Sequence, residues 1–305
     1  MTTPVSANST RPLGSSFDHA AAASGRSLWH LAWLRLKRNR AAVAAAIILG
    51  LIGLMVIFGP LLSQYDYATP HWERISAPPS METGHFFGTD SIGRDQFVRT
   101  MYGGRMSLMV GLVATGVALV IGVAWGAIAG FAGGRVDNVM MRIVDILYAL
   151  PFMFLVILLM VVFGRNILLI FVAIGSYIWL DMARIVRGQT LSLRQKEFVE
   201  AAEALGVRSW VIIWRHIVPN LLGIVAVYVT LTVPKVILVE SFLSFLGLGV
   251  QEPGTSWGAL VNAGAQDMEF APWGLFFPAA FLAATLFCLN FLGDGLRDAL
   301  DPKDR

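Results

Sequence analysis

The sequence predicts an all-α polytopic membrane protein with six transmembrane helices. Three observations carry this. Hydrophobic residues make up 56% of the 305 positions and charged residues only 14%, against about 25% charged in a soluble domain. The apolar residues gather into six runs, each long enough for about 30 Å of hydrocarbon. The basic residues fall mostly on one side of those runs.

The first 25 residues are rich in Ser, Thr, Ala and Gly and read as a mobile tail. Residues 26–40 interleave Trp29, Leu31, Trp33, Leu34 and Leu36 with basic side chains. They suit either an amphipathic helix on the inner membrane surface or an extension of the first span. That span is 41–62, too long and too far from the start for a cleaved signal peptide. An outside loop, 63–106, follows. The core, 107–293, holds five more spans at 107–130, 139–163, 167–183, 221–243 and 273–293. A short tail, 294–305, ends the chain.

Six spans put both termini on one side. With that side cytoplasmic, inner segments hold 17 basic and nine acidic residues, counting Arg142 at the inner edge of 139–163 with them, and outer segments five and eight. The spans hold Lys235 against Asp145, Asp181 and Glu240. The formal net charge of +3 thus hides a basic inner face. It suits anionic lipid headgroups rather than nucleic acid. The lone Cys288 excludes an intrachain disulfide. His71 and His85 lack paired ligands at metal spacing and read as surface histidines, so no metal site is expected.

Polar sequence concentrates in two loops. The outer run from His85 to Arg105 is too rich in turn residues to be one helix. The inner loop, 188–220, contains Phe198, Ala201, Ala202 and Leu205 at i, i+3, i+4 and i+7. This spacing predicts a short amphipathic helix, with Glu197, Glu200 and Glu203 on its other positions. Gly206 stops it. A second short helix with Trp210, Ile213, Trp214 and Ile217 follows, and Pro219 suits the first turn of the next span. Such a helix–Gly–helix is either a docking knob or a hairpin packed beneath its own bundle.

Within the spans, Lys235 lies 14 residues from the start of 221–243, about 21 Å along the axis. A charge at that depth faces the bundle interior or water. Lys235 and Glu240 are the candidate pathway residues; the alternative for Lys235 is an ion pair with Asp145, Asp181 or another chain. Arg142 and Asp145, and likewise Asp181 and Arg184, stand three apart near inner span ends. They read as local charge pairs, or as latches that change partners. Gly122, Gly126 and Gly130 form a stripe suited to close helix packing. Pro151 and Pro278 read as kinks.

Glu200-Ala201-Ala202, three residues, Gly206, and Pro219 thirteen positions on resembles the EAA loop of ABC importer permeases. His216 and Val218 stand where that pattern has Ile and Leu. The run from His85 to Arg105, the stretch from Glu240 to Gly249, Gln251-Glu252-Pro253, Ser256-Trp257-Gly258 and the end from Gly293 to Pro302 resemble the peptide/nickel branch, within it the oligopeptide permease C subunits. The resemblance implies a type I ABC importer permease fold and an oligopeptide substrate. The same branch carries dipeptides, nickel or glutathione. It also implies a homologous B-type permease partner, two ATPase subunits and an external peptide-binding protein. In that family the EAA helix couples to an ATPase, which assigns coupling to Glu200, Ala201, Ala202, Gly206 and Pro219. The chain has no Gly-x-x-x-x-Gly-Lys-[Ser/Thr] loop. It is therefore expected to be non-catalytic, with no cofactor of its own; ATP and Mg²⁺ belong to the partners. A proton-coupled secondary transporter, using the in-span charges as a relay, is the alternative from another class.

Overall fold

A computed structural model describes residues 28–164 and 167–300. The tail read at 1–25, Arg165 and the last five residues lie outside them. The described residues form ten α-helical elements. They are α1 (Leu28–Arg38), α2 (Arg40–Phe58), α3 (Gln96–Ala132), α4 (Gly134–Ala149), α5 (Phe152–Phe163), α6 (Ile167–Arg194), α7 (Glu197–Ala204), α8 (Ser209–Phe245), α9 (Trp257–Gln266) and α10 (Trp273–Leu300). Two isolated β-bridges, Ser80 to His85 and Thr89 to Asp95, pin the outer loop.

Local chemistry sets the ends. The Asn39 side chain accepts from Ala41 N and Ala42 N at the start of α2. Asp95 caps α3 by accepting from Val98 N, and Ser256 caps α9 through Ala259 N. Each satisfies an N–H that the helix itself leaves orphaned.

The Gly122, Gly126 and Gly130 stripe fixes the centre of the bundle. A Cβ on Gly126 would lie 2.5 Å from the Ala183 carbonyl oxygen, and one on Gly130 2.8 Å from that of Arg187. Gly122 meets Met182 in the same way. Contacts thus advance in the same direction along both helices, so α3 and α6 run parallel. The chain between them must return across the bundle, and α4 and α5 are the helices that lie there. Four of the described helices are individually long and apolar enough to cross a membrane, and α4 with α5 make a fifth such span if taken together.

Several elements differ from the sequence reading. The run 139–163 is broken rather than kinked: α4 and α5 meet at 81°. Pro151 pushes Leu150 into extended backbone (ψ 129°), which breaks the helix outright. Helix α3 begins at Gln96, within the stretch taken as turn-rich. Its first turns are polar but satisfied by distant chain. Gln96 Nε2 donates to the Gly274 carbonyl, and the Thr100 carbonyl accepts from Trp257 Nε1 at 2.9 Å. Helix α9 was not foreseen. His85 is not on the surface: it is buried, its Nδ1 2.8 Å from Asp95 Oδ2, with the Tyr65 ring stacked on it at 4.0 Å. Pro219 stands in the first turn of the stretch that opens at Val218, as expected, but that stretch is not a separate helix. Helix α8 is continuous from Ser209 through a π turn at Ile213–Ile217, and that wider turn accommodates the proline ring.

The outer loop folds over the start of α3 and ties to the segment before α9. Arg94 Nη2 donates to Glu252 at 3.0 Å, and its Nε to Asp90 at 2.7 Å. Arg94 holds the Glu252 carboxyl below the usual carboxylate range; partial burial opposes this but is outweighed.

Candidate functional site

The loop between α6 and α8 is built around α7. Val199 and Ala202 are buried in a cluster with Ile212, Ile213 and Ile217 of α8. Glu197 and Glu200 occupy the first turn, where carboxylates complement the helix dipole. Gly206 has φ +73°. Its N–H donates to the Glu203 carbonyl and that of Val207 to the Ala202 carbonyl. This paired arrangement is a Schellman C-cap, and it needs a left-handed residue at that position. A Cβ on Gly206 would meet nothing within 4 Å, so the glycine answers a conformational demand rather than a steric one.

The apolar face of α7 is not where periodicity placed it. Of the four positions expected to bury together, only Ala202 is buried; Ala201 is exposed. Phe198 is also exposed, and Leu205 is 83% exposed. Trp210 and Trp214, ring centroids 5.4 Å apart, add further exposed aromatic surface. Glu200 projects to solvent on the same loop, and Pro219 is exposed in the first turn after the π turn. The loop therefore packs one face beneath its bundle and leaves an apolar face with carboxylates beside it.

The second feature lies on α4, α6 and α8. Lys235 Nζ donates to Asp181 Oδ2 at 2.7 Å, and the Tyr148 hydroxyl donates to Asp181 Oδ1 at 3.1 Å. Arg184 Nη2 donates to Asp145 at 2.8 Å, while its guanidinium lies 4.4 Å from the centre of the Tyr148 ring. The expected pairs within α4 and within α6 are therefore replaced by bridges between helices. Side chains three apart share a face, but neighbouring helices supply better-aimed partners. Arg142 is exposed and joins neither bridge. These groups are open: Lys235 is 53% and Asp181 34% exposed. Beside them is a cavity of about 330 Å³.

The other candidate pathway residue, Glu240, lies inside the bundle, away from the Lys235 cavity lining. It is fully buried, accepting from Ser107 Oγ of α3 at 3.0 Å and from Ser244 Oγ at 2.7 Å. Ser107 Oγ in turn accepts from Trp257 N of α9. The carboxyl is the hub of a polar network joining α3, α8 and α9. Sequence reading missed Tyr148 and the serines; the Glu240 to Ser244 spacing of one helical turn was the available signal.

A family model described as binding-protein-dependent transport system inner membrane component matches residues 122–305. Another, for the N-terminal TM domain of oligopeptide transport permease C, matches residues 27–79. The chain is 61% identical to the oligopeptide transport system permease protein OppC of Escherichia coli, over 95% of this chain and 96% of that one. The protein of that name from Haemophilus influenzae is 58% identical, over 92% and 90%. Among solved structures it resembles a chain of the inward-facing MetNI methionine ABC transporter. The TM-score is 0.55 at 18% identity, covering 67% of this chain and 96% of that chain. At that identity the likeness speaks to fold alone.

Proposed function

The chain belongs to the family of binding-protein-dependent transport system inner membrane components, and on that premise we propose that it is one permease subunit of an ATP-driven oligopeptide importer. It supplies half of the translocation pathway. Its partners are a second, homologous permease, two ATPase subunits and a peptide-binding protein on the outer side. The chain itself hydrolyses nothing; ATP and Mg²⁺ sit in the ATPases. Both termini and α7 face the cytoplasm, in keeping with the basic excess on that side. Family membership sets the secondary-transporter alternative aside.

The observation that carries the coupling role is the exposed face of α7. A short helix held rigidly on α8 by Val199 and Ala202 presents Phe198, Leu205 and Glu200 outward. An apolar face rimmed by carboxylates fits a groove in a partner that offers cationic donors. ATP-driven closure of the ATPases moves α7, and α8 carries that motion into the membrane.

Co-purification tests this. The tagged wild-type chain is expected to retain a second permease and two ATPases. Phe198→Arg is expected to keep the permease and lose the ATPases. Retention of both ATPases by Phe198→Arg together with Leu205→Arg would remove α7 from the coupling role.

A further inference from the structure

The Lys235–Asp181 pair is both close and open. It lies at membrane depth, where an uncompensated charge is costly, yet both groups are substantially exposed. The cavity of about 330 Å³ beside it is lined by Asp181, Arg184, Tyr228, Leu231, Thr232 and Lys235. Its size is at the low end for small-molecule sites, about 300–1,000 Å³. Two hydroxyls, two cations and an anion thus converge on one pocket, and Arg184 is already engaged by Asp145.

We infer that Asp181 and Lys235 form a receptor for the two charged ends of a peptide main chain. The ammonium end goes to Asp181, with Tyr148 as a further polar group, and the carboxylate end to Lys235. This inference rests on the reading of the chain as a peptide permease. In the empty pathway each residue neutralises the other, so neither charge is left bare. A zwitterion brings a replacement partner for both at once. Its two termini can separate the pair without leaving an unmatched charge. A peptide lacking one terminal charge can free one residue only by stranding the other. The site therefore favours substrates with both termini free, whatever their side chains.

The test uses the complete importer, with its permease partner, ATPases and binding protein, in proteoliposomes. Maximal uptake rates are compared for trialanine, trialanine amide and N-acetyl-trialanine, each saturating the binding protein. Wild type is expected to prefer trialanine. Lys235→Met is expected to lose about tenfold on trialanine, the scale of one charge-assisted hydrogen bond. Its loss on the amide is smaller, so the preference for a free carboxylate collapses. Asp181→Asn is expected to abolish the preference over the acetylated peptide instead. The double variant leaves no stranded charge and must show no preference among the three. It keeps the test open should a single variant fail to assemble. Equal losses on all three peptides, or preserved preferences, would overturn the inference. If wild type imports none of them while its ATPases respond to the binding protein, the peptide reading itself fails instead.

Discussion

Arg187 donates from Nε and Nη2 to the two carboxylate oxygens of Asp137, at 2.5 and 2.6 Å. This fork joins α6 to the first turn of α4, and Asp137 is buried. Arg187→Ala strands that carboxylate and is expected to destabilise by about 2–3 kcal/mol. Arg187→Lys restores the charge without the fork and should fall between the two. Thermal unfolding of the purified protein in detergent gives the order.

Gly206 tests the turn separately from the space around it. Any side chain fits, but a β-carbon in left-handed backbone costs about 1–2 kcal/mol. Gly206→Asn, which tolerates that backbone, is expected to keep most uptake. Gly206→Val should keep the protein in the membrane and lose transport. Gly206→Asp adds a charge beside Glu203 and is expected to abolish both uptake and substrate-stimulated ATPase activity. Normal uptake by Gly206→Asp would defeat the assignment.

Two glycines on α3 predict opposite signs. A Cβ at Gly126 strikes the α6 backbone, whereas one at Gly116 meets nothing within 4 Å. Gly126→Ala is expected to cost about 1–3 kcal/mol through forced separation of the helices. Gly116→Ala should gain about 0.5–1 kcal/mol from helix propensity. Unfolding midpoints of the two variants, measured side by side, separate the effects.

The Glu252–Arg94 link gives a pH dependence. An unfolded glutamate titrates near about 4.3, and in the fold Arg94 lowers that value. The contribution is therefore complete above the unfolded value and disappears as pH falls through the lower folded one. Glu252 is 66% exposed, so the effect is small. Glu252→Gln should flatten the acid limb of the stability curve between about pH 5 and 3. An unchanged limb would show that the link contributes nothing.

What was legible in the sequence was local. Gly206 could be read because a helix end and its cap lie within a few residues. The glycine stripe could be read because small residues at one spacing allow one kind of contact. The bridge from Lys235 to Asp181 was one of the pairings left open, but the partners Arg184 for Asp145 and Tyr148 for Asp181 could not be read, because spacing along a helix says nothing of the helix beside it. The buried fate of Glu240 depended on Ser107, more than a hundred residues away. The start of α3 was hidden for the same reason: polar residues there look like a loop until Gly274 and Trp257 are seen to satisfy them. Pro151 signalled a bend, but not its extent, since apolar residues run on both sides of it.

The continuity of α8 has a mechanical consequence. From Ser209 to Lys235 is 26 residues, a rod of about 39 Å. Pivoting such a rod about its loop end by about 5° swings Lys235 sideways by about 3 Å. That exceeds the 2.7 Å separating its ammonium from Asp181. A small push at the loop end is magnified by leverage, and the π turn and Pro234 are places where the rod can give.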